Sequence, residues 1–179
     1  MSFVEALTRE GASGSAWRCH FLHLSAEPQR IACFSPTSGP SCLDQSDEGV
    51  RVWRCPGPGG YIVEFGDEGN WAGIGFAKGR LRGPPVESVA SWRGSGRVFG
   101  DKLQWVMQGG KPGAAIIRIW RIDTNKDGDE QEVQELAVFR LEHARACQYA
   151  TVNARQLSAN NLAEQRASDA LKWSCPRQQ

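Results

Sequence analysis

Six cysteines dominate the chemistry available to this chain: Cys19, Cys33, Cys42, Cys55, Cys147 and Cys175. Their number is even and no two form a C-x-x-C. That layout reads as a disulfide framework, not as a zinc site or a dithiol redox centre, and it places the protein in an oxidising compartment. A second candidate is the acidic run Asp123-Thr124-Asn125-Lys126-Asp127-Gly128. It matches the first half of an EF-hand loop, in which Asp123, Asn125 and Asp127 would turn three oxygens toward a Ca²⁺ ion and the glycine would allow the sharp bend. The second half fails: Gln134 stands where a bidentate Glu is needed, and Glu130 stands at a normally apolar place. Either a weak Ca²⁺ site on a hairpin or a solvated acidic turn fits this pattern.

Basic residues gather between Lys78 and Arg97, with Arg80, Arg82, Arg93 and Trp92 among several Gly and Pro. Arg93, Ser95 and Arg97 form a candidate binding loop for an anionic partner; a solvated loop between hairpins is the plainer reading. Candidates for catalysis are few. His20, His23 and His143 are the three histidines. None lies in a nucleophile or zinc-protease motif, and His20 and His23 would point to opposite faces of a strand. Gly73-Ile74-Gly75 sits inside a strand candidate and lacks the following helix of a phosphate loop. No catalytic set and no cofactor other than Ca²⁺ is expected.

The elements that must position these residues are mostly strands. Val50 to Arg54 alternates apolar and polar, the period of a half-buried strand. Tyr61–Phe65 and Trp71–Phe76 read as a hairpin across residues 66–70, and Arg97–Phe99 with Leu103–Met107 as a second, turning at Gly100-Asp101-Lys102. Ala114–Ile122, rich in β-branched residues, is the strongest strand. Trp17–Leu24, Arg30–Phe34, Val133–Leu141 and Ala146–Ala154 complete the set. A helix is predicted over about residues 159–171, with Leu162, Ala163, Ala167, Ala170 and Leu171 on one face and Ser158 or Asn160 as its cap. The expected fold is mainly β, an antiparallel sandwich or small barrel of about seven to nine strands with one C-terminal α-helix packed on the sheet. Residues 1–16 are expected to be an arm, and 17–179 a single disulfide-stapled domain.

Six cysteines allow fifteen connectivities. Proximity along the predicted elements favours Cys147 with Cys175, Cys42 with Cys55, and Cys19 with Cys33; buried free thiols are the alternative. The first pair would close a strand-and-helix loop, a constraint of roughly 3.5 kcal/mol in the chain-entropy picture.

Composition bounds the function. Seven Trp and 20 Gly in 179 residues suit a small β-rich domain, and 40% hydrophobic content is too high for disorder. A net charge of +1 argues against a nucleic-acid binder, and no apolar run reaches membrane-spanning length. The first ten residues lack the basic-then-apolar pattern of a secretory signal. Three explanations stay open: a signal removed upstream, a misassigned start, or free buried cysteines.

From Cys42 onward the chain resembles a family of small uncharacterised exported bacterial proteins. The residues that carry the likeness are Trp53-Arg54-Cys55-Pro56-Gly57-Pro58-Gly59-Gly60-Tyr61, Leu103-Gln104-Trp105, the run Ala146 to Ala154, Asn160-Asn161-Leu162-Ala163 and Cys175. The resemblance implies a periplasmic or secreted β-rich domain with a C-terminal helix, and no assigned activity. Cys19 and Cys33 are additional to that pattern. A shorter stretch, Trp53 to Ile116, is similar to the periplasmic inhibitors of c-type lysozyme through Cys55, Tyr61, Ser95-Gly96-Arg97-Val98-Phe99 and Trp105. That likeness implies a loop around Ser95 that plugs an enzyme cleft, although Gln108 stands where those inhibitors carry a Lys. The expected function is a non-catalytic exported domain that binds a protein or a cell-envelope component, with a cell-wall hydrolase inhibitor and a Ca²⁺-binding domain as alternatives.

Overall fold

The computed structural model describes residues 18–22, 30–94, 96–143 and 145–176. Among them are eleven strands: β1 (Arg18–Leu22), β2 (Arg30–Pro36), β3 (Leu43–Asp44), β4 (Arg51–Pro56), β5 (Tyr61–Asp67), β6 (Trp71–Lys78), β7 (Ser88–Arg93), β8 (Phe99–Gln108), β9 (Lys111–Thr124), β10 (Glu130–Leu141) and β11 (Ala146–Asn153). One helix, α1 (Ala159–Ala170), follows. The strands form a six-stranded sheet, β1-β2-β8-β9-β10-β11, and a five-stranded sheet, β3-β4-β5-β6-β7. All pairings are antiparallel. The mainly β, sandwich-like fold expected from the sequence is the fold observed.

Alternation explains the packing. Tyr61, Val63 and Phe65 of β5 and Ala72, Ile74 and Phe76 of β6 face inward against Leu103, Trp105, Ile117, Ile119 and Phe139 of the larger sheet. The rings interlock in stacked, edge and tilted pairs, among them Trp53 stacked on Phe65 at 5.4 Å and Phe76 tilted on Phe139 at 5.1 Å. Strands β9 and β10 are different, because α1 covers their outer face. Ala114 to Ile117 and Leu136 to Phe139 are continuously buried, as strands covered on both sides must be. The helix meets Ala114, Ile116, Leu136 and Val138 with Ala159, Ala163 and Ala167, one residue per turn. Small side chains at that spacing let the helix lie close on the sheet.

Three expectations change. Gly100-Asp101-Lys102 is not a turn: β8 runs unbroken from Phe99 to Gln108. Its outer neighbour holds it extended, with Pro36 paired to Lys102 and the Thr37 N–H and hydroxyl donating to the Asp101 and Gly100 carbonyls. A register irregularity against β9 between Phe99 and Leu103 takes up the glycine. Second, the Lys78–Arg97 region is not all loop. It contains β7, an edge strand with only Trp92 deeply buried, so alternation is too weak to announce it. Third, Ser158 occupies the cap position of α1 in a left-handed conformation and its hydroxyl makes no capping bond, while Asn160 lies within the helix.

The Pro56 to Tyr61 run turns the chain sharply into β5. Gly59 and Gly60 adopt φ of 65° and 77°, where a side chain would be strained. Gly57 lies against the Trp105 indole so closely that a Cβ there would overlap the ring.

Candidate functional site

At the end of the sandwich where β5 begins, β6 ends and β10 turns into β11, the chain forms a cleft of about 260 Å³. Tyr61, Phe76, Ala77, Lys78, Glu142, His143 and Arg145 line it. Strands β5 and β6 supply four of these seven residues, and Tyr61 and Lys78 are direct partners across them. The Lys78 Nζ stands 5.0 Å from the centroid of the Tyr61 ring, a cation–π approach. The opposite wall is the β10–β11 turn. It is closed by the Glu142 N–H donating to the Arg145 carbonyl at 2.7 Å.

Hydrogen bonds tie the two walls together. The Tyr61 hydroxyl donates to the Glu142 carbonyl at 3.1 Å. Burial pushes the Tyr61 phenol above its ordinary value, so the hydroxyl stays a donor at neutral pH. The Glu142 carboxylate is occupied at both oxygens: one accepts the Cys175 N–H at 3.1 Å, the other the Arg145 guanidinium at 2.8 Å. Lys78 makes no ion pair among the described residues. The cleft therefore has an apolar floor of Phe76, Ala77 and the Tyr61 ring, and a rim of hydrogen-bond donors with positive charge in excess.

Two disulfides hold the surroundings. Cys147 bonds to Cys175, which fastens the segment after α1 onto β11 beside Glu142. Cys42 bonds to Cys55, which fastens the entry of the smaller sheet to β4. Both were the favoured pairings. Register places Cys19 opposite Cys33 on β1 and β2, and Cys33 is disulfide-bonded. Two disulfides fit an oxidising extracellular compartment. No described helix is long and apolar enough to cross a membrane.

The basic loop is anchored rather than free. Residues 79–87 fold as a strap over the outer face of the smaller sheet, where Gly75 lies under Val86 and Glu87. Arg54, only 2% exposed, reaches out of β4 to hold it. Its guanidinium donates to the Leu81 and Gly83 carbonyls at 3.1 and 2.8 Å and to Glu64 at 2.6 Å. Glu64 in turn accepts the Val86 N–H. Arg93, at the end of β7, pairs with Glu130. Arg97 pairs with Asp101 and lies 5.0 Å over the Trp120 ring. Ser95 falls outside the described residues, as does His23. Arg93 pairs in register with Trp71 at the start of β6, the opposite end from Lys78, Arg97 lies just before β8, and neither lines the cleft.

Asp123, Asn125 and Asp127 lie at the β9–β10 hairpin. Asn125 Oδ1 accepts the backbone N–H groups of Asp127 and Asp129 at 2.9 and 2.8 Å, the work of an Asx turn. Asp123 pairs with Arg121, which also grips Glu135 through two bonds. These contacts hold the Arg121 guanidinium above its already high value. Among the described residues no group of three or more His, Cys, Asp and Glu is placed to hold a metal ion.

The Tyr61–Glu142–Arg145 side of the cleft was not foreseen. Tyr61 and Glu142 lie 81 positions apart, and no local pattern couples them. Comparison with protein-family models, curated proteins and solved structures gives no match.

Proposed function

We propose that this chain is a non-catalytic binding domain that works outside the reducing cytosol, in the periplasm or as a secreted protein, and that its ligand is a protein or a component of the cell envelope. One observation carries the reading: the cleft lined by Tyr61, Lys78 and Arg145 is braced on two walls. The Cys147–Cys175 bond sets the Glu142 wall, and the paired register of β5 and β6 sets the Tyr61–Lys78 wall. A surface held in its binding shape loses little freedom when a partner docks, which favours recognition.

Disulfide mapping by mass spectrometry, on protein recovered from fractionated native cells, tests the compartment. The expected result is Cys42–Cys55 and Cys147–Cys175 peptides in the periplasmic or secreted fraction. Reduced thiols on a cytosolic protein would overturn it.

A further inference from the structure

We propose that the cleft between Lys78 and Arg145 is a carboxylate site, shaped for an organic monoanion carried on an apolar or aryl stem. The inference rests on the binding-domain reading and names the ligand chemistry of that same cleft.

The charges point to one anionic group. Lys78 has no carboxylate partner among the described residues, and Arg145 spends one guanidinium nitrogen on Glu142, leaving other N–H donors for a ligand. Glu142 is the single acid of the lining, and both its oxygens already accept donors. With His143 counted as neutral, the lining has one positive charge more than negative, which a monoanion balances. A planar carboxylate also suits the forked donors of an arginine.

The floor points to the stem. Phe76 and Tyr61 line the cleft with the little of them that is exposed, 7% and 5%, so the apolar strip open to a stem is narrow. A volume of about 260 Å³ lies below that of most drug-sized sites. It accommodates one side chain or one small acid, not a polymer. A free aryl or alkyl acid and the terminal or side-chain carboxylate of a peptide share this chemistry.

Amide and methyl NMR of the full oxidised chain tests the site with benzoate as the probe, and benzylamine and inorganic phosphate as comparisons. Benzoate is expected to give saturable shifts centred on residues 61, 76–78 and 142–145, with a dissociation constant in the millimolar range. Benzylamine, with the same ring and the opposite charge, is expected to give none. Lys78→Gln and Arg145→Gln, both at exposed positions, are each expected to weaken benzoate about tenfold, the loss of one charge-assisted hydrogen bond. The proposal is overturned by no saturable shift, by an equal response to benzylamine, by tighter binding of phosphate than benzoate, or by both variants binding as the parent does. A peptide ending in a free Phe carboxylate and its C-terminal amide then separate the sources. Stronger binding of the free-acid peptide than of benzoate identifies a polypeptide terminus, weaker binding a small acid, and either upholds the carboxylate. A negative benzoate titration of protein that still cross-links to a partner from this cleft refutes the carboxylate and leaves the binding reading in place.

Discussion

Replacing Arg54 with Met isolates the clamp that fastens the basic strap. Arg54 is 2% exposed and its Glu64 partner has a side chain 14% exposed, so the pair is withdrawn from water on both sides. Arg54→Met keeps an apolar stem of similar length but strands the Glu64 carboxylate, which retains only the Val86 N–H. Removing one member of a buried pair costs about 3–5 kcal/mol. The Leu81 and Gly83 carbonyls also lose their donor, although both can turn to water once the strap lifts. In a chain of this size the loss corresponds to a fall of about 10 °C in Tm. Two assays read it: urea denaturation for stability, and limited trypsin digestion for the strap. Arg80 and Arg82 lie on that strap, and cleavage there requires local opening. The single variant should be destabilised and cut faster at those sites. Arg54→Met with Glu64→Leu should regain most of the stability, because no charge is left stranded, while the fast cleavage persists. A single variant within about 0.5 kcal/mol of the parent, the range of ordinary surface changes, and cut at the parent rate would refute the clamp.

Three further outcomes are expected. Gly57→Ala drives a methyl into the Trp105 indole and should lower stability by about 1–3 kcal/mol, the usual cost of overpacking, read as a lower urea midpoint. Cys147→Ser with Cys175→Ser opens a loop with a sequence separation of 28; denaturation should show a loss of up to about 3.5 kcal/mol, and amide exchange should quicken at Cys175, whose N–H is held by Glu142. The Tyr61 phenol is raised above 10.0 in the folded state by burial, so its contribution is intact below the unfolded value and is lost as pH climbs through the folded one. Tyr61→Phe should therefore flatten the decline of stability above pH 10 while leaving the neutral-pH slope unchanged, as measured by denaturation at stepped pH.

Much of the architecture could be read from the chain because it is written in local patterns. The β5–β6 hairpin, the β-branched run of β9 and the Ala-rich face of α1 each have a period that neighbours along the sequence supply. The Cys42–Cys55 and Cys147–Cys175 bonds followed from the elements that carry them. What was missed depends on contacts between distant segments. β8 stays extended through Gly100 because Thr37 and Pro36 pair with it, 63 and 66 positions away in the chain. The strap is held by Arg54, an outward strand residue with nothing in its neighbourhood to mark it as a clamp. The cleft joins Tyr61 to Glu142 across 81 positions. Arg93 and Arg97 drew attention by sequence density, yet each is paired with an acid, and of that cluster it is Lys78 that lines the cleft.

Site-specific photo-cross-linking in native cells asks whether the cleft is where a partner docks. A cross-linking residue is placed at His143, on the exposed rim of the cleft, and in a second variant at Lys126, on the β9–β10 hairpin at the far end of β10. Twelve residues of β10 lie between those ends, a span of about 40 Å at strand rise. A discrete adduct with an envelope or exported component is expected from His143, diminished by Lys78→Gln, and none from Lys126. Adducts of equal yield from both positions, or an adduct from Lys126 alone, would contradict it.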